Sequence, residues 1–352
     1  MAIHLHEKYA KQIQTKFTTE SLIAGVLNNT YSWSGVKTIK VSTPVTVPMN
    51  DYTRTGTSRY GTPTEMEDIV QELTLTQDKS FSLTIDKGNN QDQSGIKEAG
   101  RMLSLQIAER AVPTMDAYCF KQLAMKAGNV VANSTALSKN TVCDRISEGT
   151  LKLDDAEVPQ DGRTLFVSNA TYKLLKHSDE FLGVDELGRE ALSKGQVGKY
   201  DNMKVVKVPA GRWPENVNFM IVYKNSATAP VKLNDTKLHQ DPPGISGNLL
   251  EGRQYYDCFV FGAKCEGVYV EVNTASGGGT VLTAPTIAAA TGAITAAEGA
   301  TVKFTTDGSD PRYSMTAQIG TAAGTGKGTV VKAYQYKDGA YPSPVAEVTL
   351  TA

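Results

Sequence analysis

Long apolar runs are missing from this chain. No segment reaches the roughly 18 uncharged apolar residues that a membrane-spanning helix needs. An excess of one charge is missing too. Thirty-six Lys and Arg stand against 37 Asp and Glu, a net charge of −1, so bulk attraction to nucleic acid or to an anionic membrane is excluded as the basis of function. Cysteine is scarce. Cys119, Cys143, Cys258 and Cys265 form no C-x-x-C pair and no tight framework, which points to buried free thiols rather than disulfides or metal ligands. The opening residues, MAIHLHEKYAKQIQTKF, lack the apolar core and small-residue cleavage site of a secretory signal, so the expectation is a protein made and kept in a cytoplasm.

The motifs of catalysis are absent as well. TAAGTGKGT imitates a phosphate loop at Gly326-Lys327, but Thr321 replaces the first glycine and Gly328 stands where Ser or Thr must reach magnesium. Asn90, Asp92, Ser94 and Gly95 imitate the start of a calcium loop whose bidentate acid position holds Arg101. Asp307 and Asp310, in TTDGSDP, could share a cation or could serve a turn through side chain to backbone bonds, and the turn is the commoner use. There is no G-x-S-x-G and no H-E-x-x-H. His177 sits at a predicted helix end, where it complements the dipole, and the adjacent Asp154 and Asp155 cannot face one site on a regular element. No catalytic residue, metal ligand or cofactor site is expected, and an enzyme is a poor reading.

A chain that is 40% hydrophobic and 21% charged can bury a core, and its length suggests about two domains. The first 30 residues read as a polar arm or marginal helix that needs a partner surface. Residues 36–87 read as a long β-hairpin around an extended polar loop rich in Gly, Thr, Ser and Arg. Ile96, Ala99, Leu103, Ile107, Ala111, Met115, Tyr118 and Leu123 predict a helix over 95–128, with Ser94 as N-cap, Gly128 as stop and a kink or break at Pro113. Residues 141–273 alternate helical and strand patterns and end on the apolar stretch YYDCFVFGAKCEGVYVEVN, which should turn around Gly262 to Gly267. Composition then changes. The segment 276–280, SGGGT, reads as a short flexible linker, and the Ala/Thr/Gly/Val-rich strands of 281–352 predict a small all-β sandwich. The fold class is α+β with a separate all-β tail.

Candidate interaction residues lie in two places. Asp51, Tyr52, Arg54, Arg59 and Tyr60 sit in the polar hairpin loop, and Tyr and Arg are typical of interfaces. Tyr334, Tyr336 and Tyr341 of the tail could stack on a surface ligand such as a sugar, although Tyr334 and Tyr336 share a strand face and could simply pack.

The order of these elements resembles the major capsid protein of tailed bacteriophages. Within it, ERAVPTMDAYCFKQLA resembles that family's spine helix, VGKYDNMKVVKVP its axial-domain strand turn, and EGRQYYDCFVFGAKCEGVYV its closing β segment with Tyr256-Asp257, Lys264 and Gly267 in place. The resemblance covers roughly residues 1–273 and implies a shell domain over 1–275. It implies an N-terminal arm (1–30) reaching one neighbour, an extended loop (about 48–68) lying over another, and peripheral and axial α+β regions. FTTDGSDPRYS and VVKAYQYKDGAYPSPVAEVTL resemble the immunoglobulin-like accessory module at the C-terminus of chitobiase-type glycosidases. Together the resemblances imply a subunit that assembles with itself into hexamers and pentamers of an icosahedral virion shell in the host cytoplasm. Packaged double-stranded DNA would touch its inner face nonspecifically, scaffolding, portal and decoration proteins are its further partners, and the module would stand on the outer surface. The loop core 50–64 has no lysine, so the lysine–asparagine crosslinking of one lineage does not carry over. An encapsulin-type compartment shell and a glycan-binding surface protein are the competing readings.

Overall fold

A computed structural model describes residues 20–351 except 32, 34–35, 45, 47–48, 64, 67, 93–97, 179–198, 276 and 325. The outer part of the expected arm and the expected N-cap Ser94 therefore lie outside the described residues.

Strand β1 (Thr38–Pro44) returns after the extended loop as β2 (Asp68–Thr74), paired antiparallel from Thr38 opposite Thr74 to Pro44 opposite Asp68. β3 (Gln77–Asp86) does not prolong this ribbon; it pairs antiparallel with a strand far along the chain, β11 (Gly247–Tyr256). The hairpin is thus confined to 38–74 rather than 36–87. The corner is held by Asp257, whose carboxylate accepts hydrogen bonds from the Thr76 N–H and hydroxyl, each at 2.8 Å, and from the Tyr118 hydroxyl at 2.8 Å.

After a short α1 (Lys87–Asp92) comes the spine: α2 (Ala99–Gln106), a π-helical turn (Ile107–Ala111) and α3 (Val112–Met125). Pro113 does not break it. A proline lacks the N–H and crowds the carbonyl four residues back, and the wider π turn directly before it absorbs both defects while the backbone stays helical through Ala111 and Val112. The expected stop at Gly128 is also displaced, because α3 ends at Met125. Gly128 is needed for close approach. Its N–H donates to the Cys265 carbonyl at 2.9 Å, and a Cβ there would lie 2.4 Å from that carbonyl.

The body continues through β4 (Asn129–Asn133), α4 (Val142–Asp155), β5 (Arg163–Ser168), α5 (Asn169–Lys176), β6 (Lys199–Tyr200), β7 (Met203–Val208), β8 (Val217–Tyr223), β9 (Ala227–Thr228), β10 (Val231–Gln240), β11 (Gly247–Tyr256), β12 (Phe259–Val260) and β13 (Val268–Asn273). Six of these form one mixed sheet in the order β4-β13-β8-β5-β7-β6, with β4 parallel to β13 and β5 parallel to β7. Near-continuous apolar runs in β5, β8 and β13 follow from burial on both faces. Phe166, Met220, Val222, Val268, Val270 and Val272 pack with Cys119, Phe120 and Leu123 of the spine. Leu165, Val167, Phe219, Ile221 and Tyr269 point the other way, onto Val142, Ile146, Leu153 and Leu175 of α4 and α5. Ser168 caps α5, its hydroxyl accepting from Thr171 N–H at 3.0 Å, and His177 is the residue that closes it. All four cysteines are free and buried. No helix among the described residues is long and apolar enough to cross a membrane.

The root of the arm is better anchored than its sequence suggests. Ile23, Val26 and Leu27 are buried in the spine-side core. Asp116, fully buried on α3, accepts from the Ser21 hydroxyl (2.7 Å), Leu22 N–H (2.9 Å) and Arg212 (2.9 Å). Arg212 also donates to the Glu20 carbonyl at 3.0 Å. Breaking such a pair leaves an uncompensated buried charge. Asp116→Ala is therefore expected to lower unfolding free energy by about 3–5 kcal/mol, read as a drop in denaturation midpoint on the purified subunit.

Beyond residue 275 the chain is all β: β14 (Thr286–Ile287), β15 (Ile294–Thr295), β16 (Thr301–Thr305), β17 (Gln318–Ile319), β18 (Val330–Tyr336) and β19 (Ala346–Thr349). β17-β16-β18-β19 form an antiparallel sheet and β14-β15 a separate ribbon. Ile287, Ile294, Val302, Phe304, Val331, Ala333 and Leu350 make its own core.

Candidate subunit interface

The extended loop between β1 and β2 has an ordered tip. Thr53 N–H donates to the Arg59 carbonyl and Gly61 N–H to the Ser58 carbonyl, both at 3.1 Å, while Arg59 Nε donates to the Gly56 carbonyl at 3.1 Å. Gly56 and Gly61 have φ of +92° and +84°, values glycine adopts without strain. Tyr52 and Tyr60 meet edge to face with ring centroids 5.0 Å apart. The tip therefore makes its own local contacts but has no apolar floor. Asp51, Tyr52, Arg54, Arg59 and Tyr60 are all exposed, and Asp51 and Arg54 form no ion pair among the described residues. Met49 is 98% exposed, Tyr60 85%, Met66 68% and Tyr52 51%. The structure thus gathers all five sequence candidates on one tip and adds Met49 and Met66, which the polarity of the surrounding loop obscured. Four large side chains with apolar surface are therefore exposed on one loop, two of them in contact with each other.

The base of the same hairpin is clamped. Leu73 and Leu75 are buried with Trp33, Phe259 and Phe261, and Trp33 stacks on Phe259 at 5.7 Å. Gln71 spans the segment after β12, donating to the Val260 carbonyl (3.0 Å) and accepting from Gly262 N–H (2.8 Å). Burial, ahead of the effect of Asp257, pushes the Tyr118 hydroxyl well above its usual pKa, so it remains a donor to Asp257 at any ordinary pH.

The tail's tyrosines divide. Tyr334 and Tyr336 stack at 5.7 Å on β18, but Tyr334 lines a cleft of about 700 Å³ between the tail, the hairpin base and the spine. Burial pushes its hydroxyl up to about 12. Tyr341 is engaged with the body, donating to the Glu215 carbonyl at 2.5 Å. Around Ser276, which lies outside the described residues, the segment expected to be a flexible linker is hydrogen-bonded on both sides. Asn273 N–H donates to Asn216, Thr274 N–H to Asn133 and Gly279 N–H back to Asn273, at 2.7–2.8 Å. A Cβ on Gly278 would lie 2.3 Å from the Asn273 carbonyl, so glycine here serves close packing.

In TTDGSDP the two acids take separate roles. Asp307 accepts from Ser309 N–H (3.0 Å), Ser309 hydroxyl (2.5 Å) and Thr316 hydroxyl (2.6 Å). Burial alone would raise its pKa, but these donors outweigh it and hold the carboxyl below 3.8. Asp310 instead carries Arg312, through Nε at 3.0 Å and Nη2 at 2.6 Å. A folded pKa below the unfolded one gives stability that is fully present above the unfolded value and is lost as pH falls through the folded one. Tail stability should therefore decline below about pH 4, and Asp307→Asn should flatten that decline, as checked by thermal melts from pH 7 to pH 2.

With the geometry in place, comparison with known proteins is informative at the level of fold. No protein-family model matches the chain, and no curated protein matches it. Solved structures do. A chain from Mycobacterium phage Che8 superposes with a TM-score of 0.63 at 16% identity, covering 78% of this chain and 100% of that one. A chain of the capsid of the cyanophage P-SCSP1u gives 0.63 at 12% identity, covering 77% and 93%. One from the mature capsid of bacteriophage PhiM1 gives 0.62 at 13% identity, covering 77% and 92%. Over about three quarters of its length the chain therefore has the mixed α+β fold seen in phage capsid structures.

Proposed function

We propose that this chain is the major capsid protein of a tailed, double-stranded DNA bacteriophage, a subunit that assembles with itself into hexamers and pentamers of an icosahedral virion shell. The observation that carries the reading is the extended loop. On a fold shared with phage capsid chains over nearly their whole length, a firmly clamped hairpin base holds out a tip whose Met49, Tyr52, Tyr60 and Met66 have no floor within the subunit. A neighbouring copy supplies that floor. The role is structural rather than catalytic. Balanced charge suits it, since a surface that packs against copies of itself cannot carry a large charge of one sign. Each contact is modest, and closure of the shell multiplies it.

On this reading scaffolding, portal and decoration proteins are the further partners, the packaged DNA meets the inner face without sequence preference, and assembly takes place in the host cytoplasm. The segment 281–352 is a fused domain similar to the immunoglobulin-like accessory module of chitobiase-type enzymes, carried on the outer surface. Its all-β make-up and separate core support that reading, as does the size of the segment, about the fifth of the chain that the capsid neighbours leave uncovered.

Negative-stain electron microscopy of the purified protein, with and without co-expressed neighbouring genes of its source, tests the proposal; closed shells, capsomer rings or tubes are expected, and a monomer under every condition would overturn it. The triple variant Arg54→Glu, Arg59→Glu, Tyr60→Ser is expected to reduce particle yield at least tenfold while leaving the subunit's melting temperature within about 2 °C, because the contacts it removes lie within the exposed loop tip and touch no part of the core, and surface substitutions of this kind change folding free energy by about 0.5 kcal/mol.

A further inference from the structure

The segment 259–267, formed by β12 and a 3-10 turn over Gly262–Gly267, is gripped from two sides. The hairpin base reaches it through Gln71, which binds the Val260 carbonyl and Gly262 N–H. The tail reaches it through the turn 310–313. Tyr313 packs so closely on Gly262 that a Cβ there would lie 2.6 Å from its own Cβ. The same turn closes the end of the spine. Tyr313 donates its hydroxyl to the Lys126 carbonyl, and Arg312 donates through Nη1 to the Gly128 (3.0 Å) and Ala127 (3.3 Å) carbonyls. These carbonyls lie just past the last turn of α3, where a chain leaving a helix must find donors from elsewhere. Arg312 is nearly buried and its guanidinium is fixed by Asp310. A second cleft brings Asp68–Val70 of β2 alongside Asp307–Ser309 and Ser314–Thr316 of the tail.

We infer that the C-terminal module is an internal brace of the subunit rather than a tethered appendage. By capping the spine's end and closing on the 259–267 segment opposite Gln71, it fixes the angle at which the extended hairpin leaves the body. Arg312 and Tyr313 are positioning residues for the loop tip, which they do not touch. This goes beyond the shell reading and can be tested without it, because the readout is taken on the unassembled subunit.

The experiment is hydrogen–deuterium exchange on full-length, unassembled protein carrying Arg312→Ala, Tyr313→Phe or, as a control in the same module, Lys332→Ala, which removes the 3.2 Å pair with Glu347. Arg312→Ala is expected to speed exchange of amides 69–76 and 259–264 by about tenfold, the effect of losing a charged hydrogen-bond donor, while β5, β8 and the module's core strands stay protected. Tyr313→Phe should produce a smaller rise at the same positions, and it decides the matter if Arg312→Ala does not fold. Lys332→Ala should leave 69–76 unchanged. The inference is overturned if faster exchange stays confined to 281–352, or if Lys332→Ala loosens the hairpin base as much as the turn variants do.

Discussion

The body of the fold depends on burying β13 from both sides. Its residues Val268, Val270 and Val272 face the spine while Tyr269 faces α4, and its edges are paired to β4 on one side and β8 on the other. One charge enters this strand. Glu271 is fully buried and its Oε1 is met by Arg145 at 3.1 Å and Asn218 at 2.6 Å, so the charge is paired on that side, while Oε2 is buried without a hydrogen-bond partner among the described residues. With β13 in place, the segment before it is set against the spine, and both the hairpin base and the tail find their footing on that segment.

Much of this was legible in the sequence. Apolar runs such as Leu165–Val167 marked the doubly covered strands, the 3.6 spacing through Tyr118 and Leu123 marked the spine, and the composition change after residue 275 marked the all-β tail. What escaped was long-range pairing. The alternation in Phe81, Leu83 and Ile85 identified β3 as a strand but not its partner, and only the Thr76–Asp257 contact, across 181 positions, explains why it leaves the hairpin. Pro113 announced a defect, but whether it kinks or bulges depends on the packing around the preceding turn. Glycines misled twice. Gly128 and Gly278 looked like a stop and a flexible joint, yet each sits where another backbone comes too near for a side chain.

The interface candidates divide for the same reason. Local sequence was enough to place Tyr52, Arg54, Arg59 and Tyr60 together on one exposed tip, since an exposed loop keeps its residues where sequence proximity puts them. The tail's tyrosines could not be sorted in that way. Tyr341 finds the Glu215 carbonyl and Tyr334 faces the cleft beside the spine, and both partners are remote in sequence. The outcome is a subunit with graded stiffness: a base held by stacked aromatics and Gln71, and a tip held only by its own turn. The tip can thus move without disturbing the core.

The position of β13 also governs the order in which the molecule can be made. Its parallel partner β4 leaves the ribosome well over a hundred residues earlier, and at about 5–20 residues per second the first half of the sheet must wait several seconds with an open edge. During that wait β4 presents unpaired backbone groups, the kind of edge that invites pairing with another chain. Arg312 and Tyr313, which meet the end of the spine, emerge later than β13. A nascent chain therefore cannot close this sheet until β13 has been synthesised, and products released before that point would carry an open sheet edge.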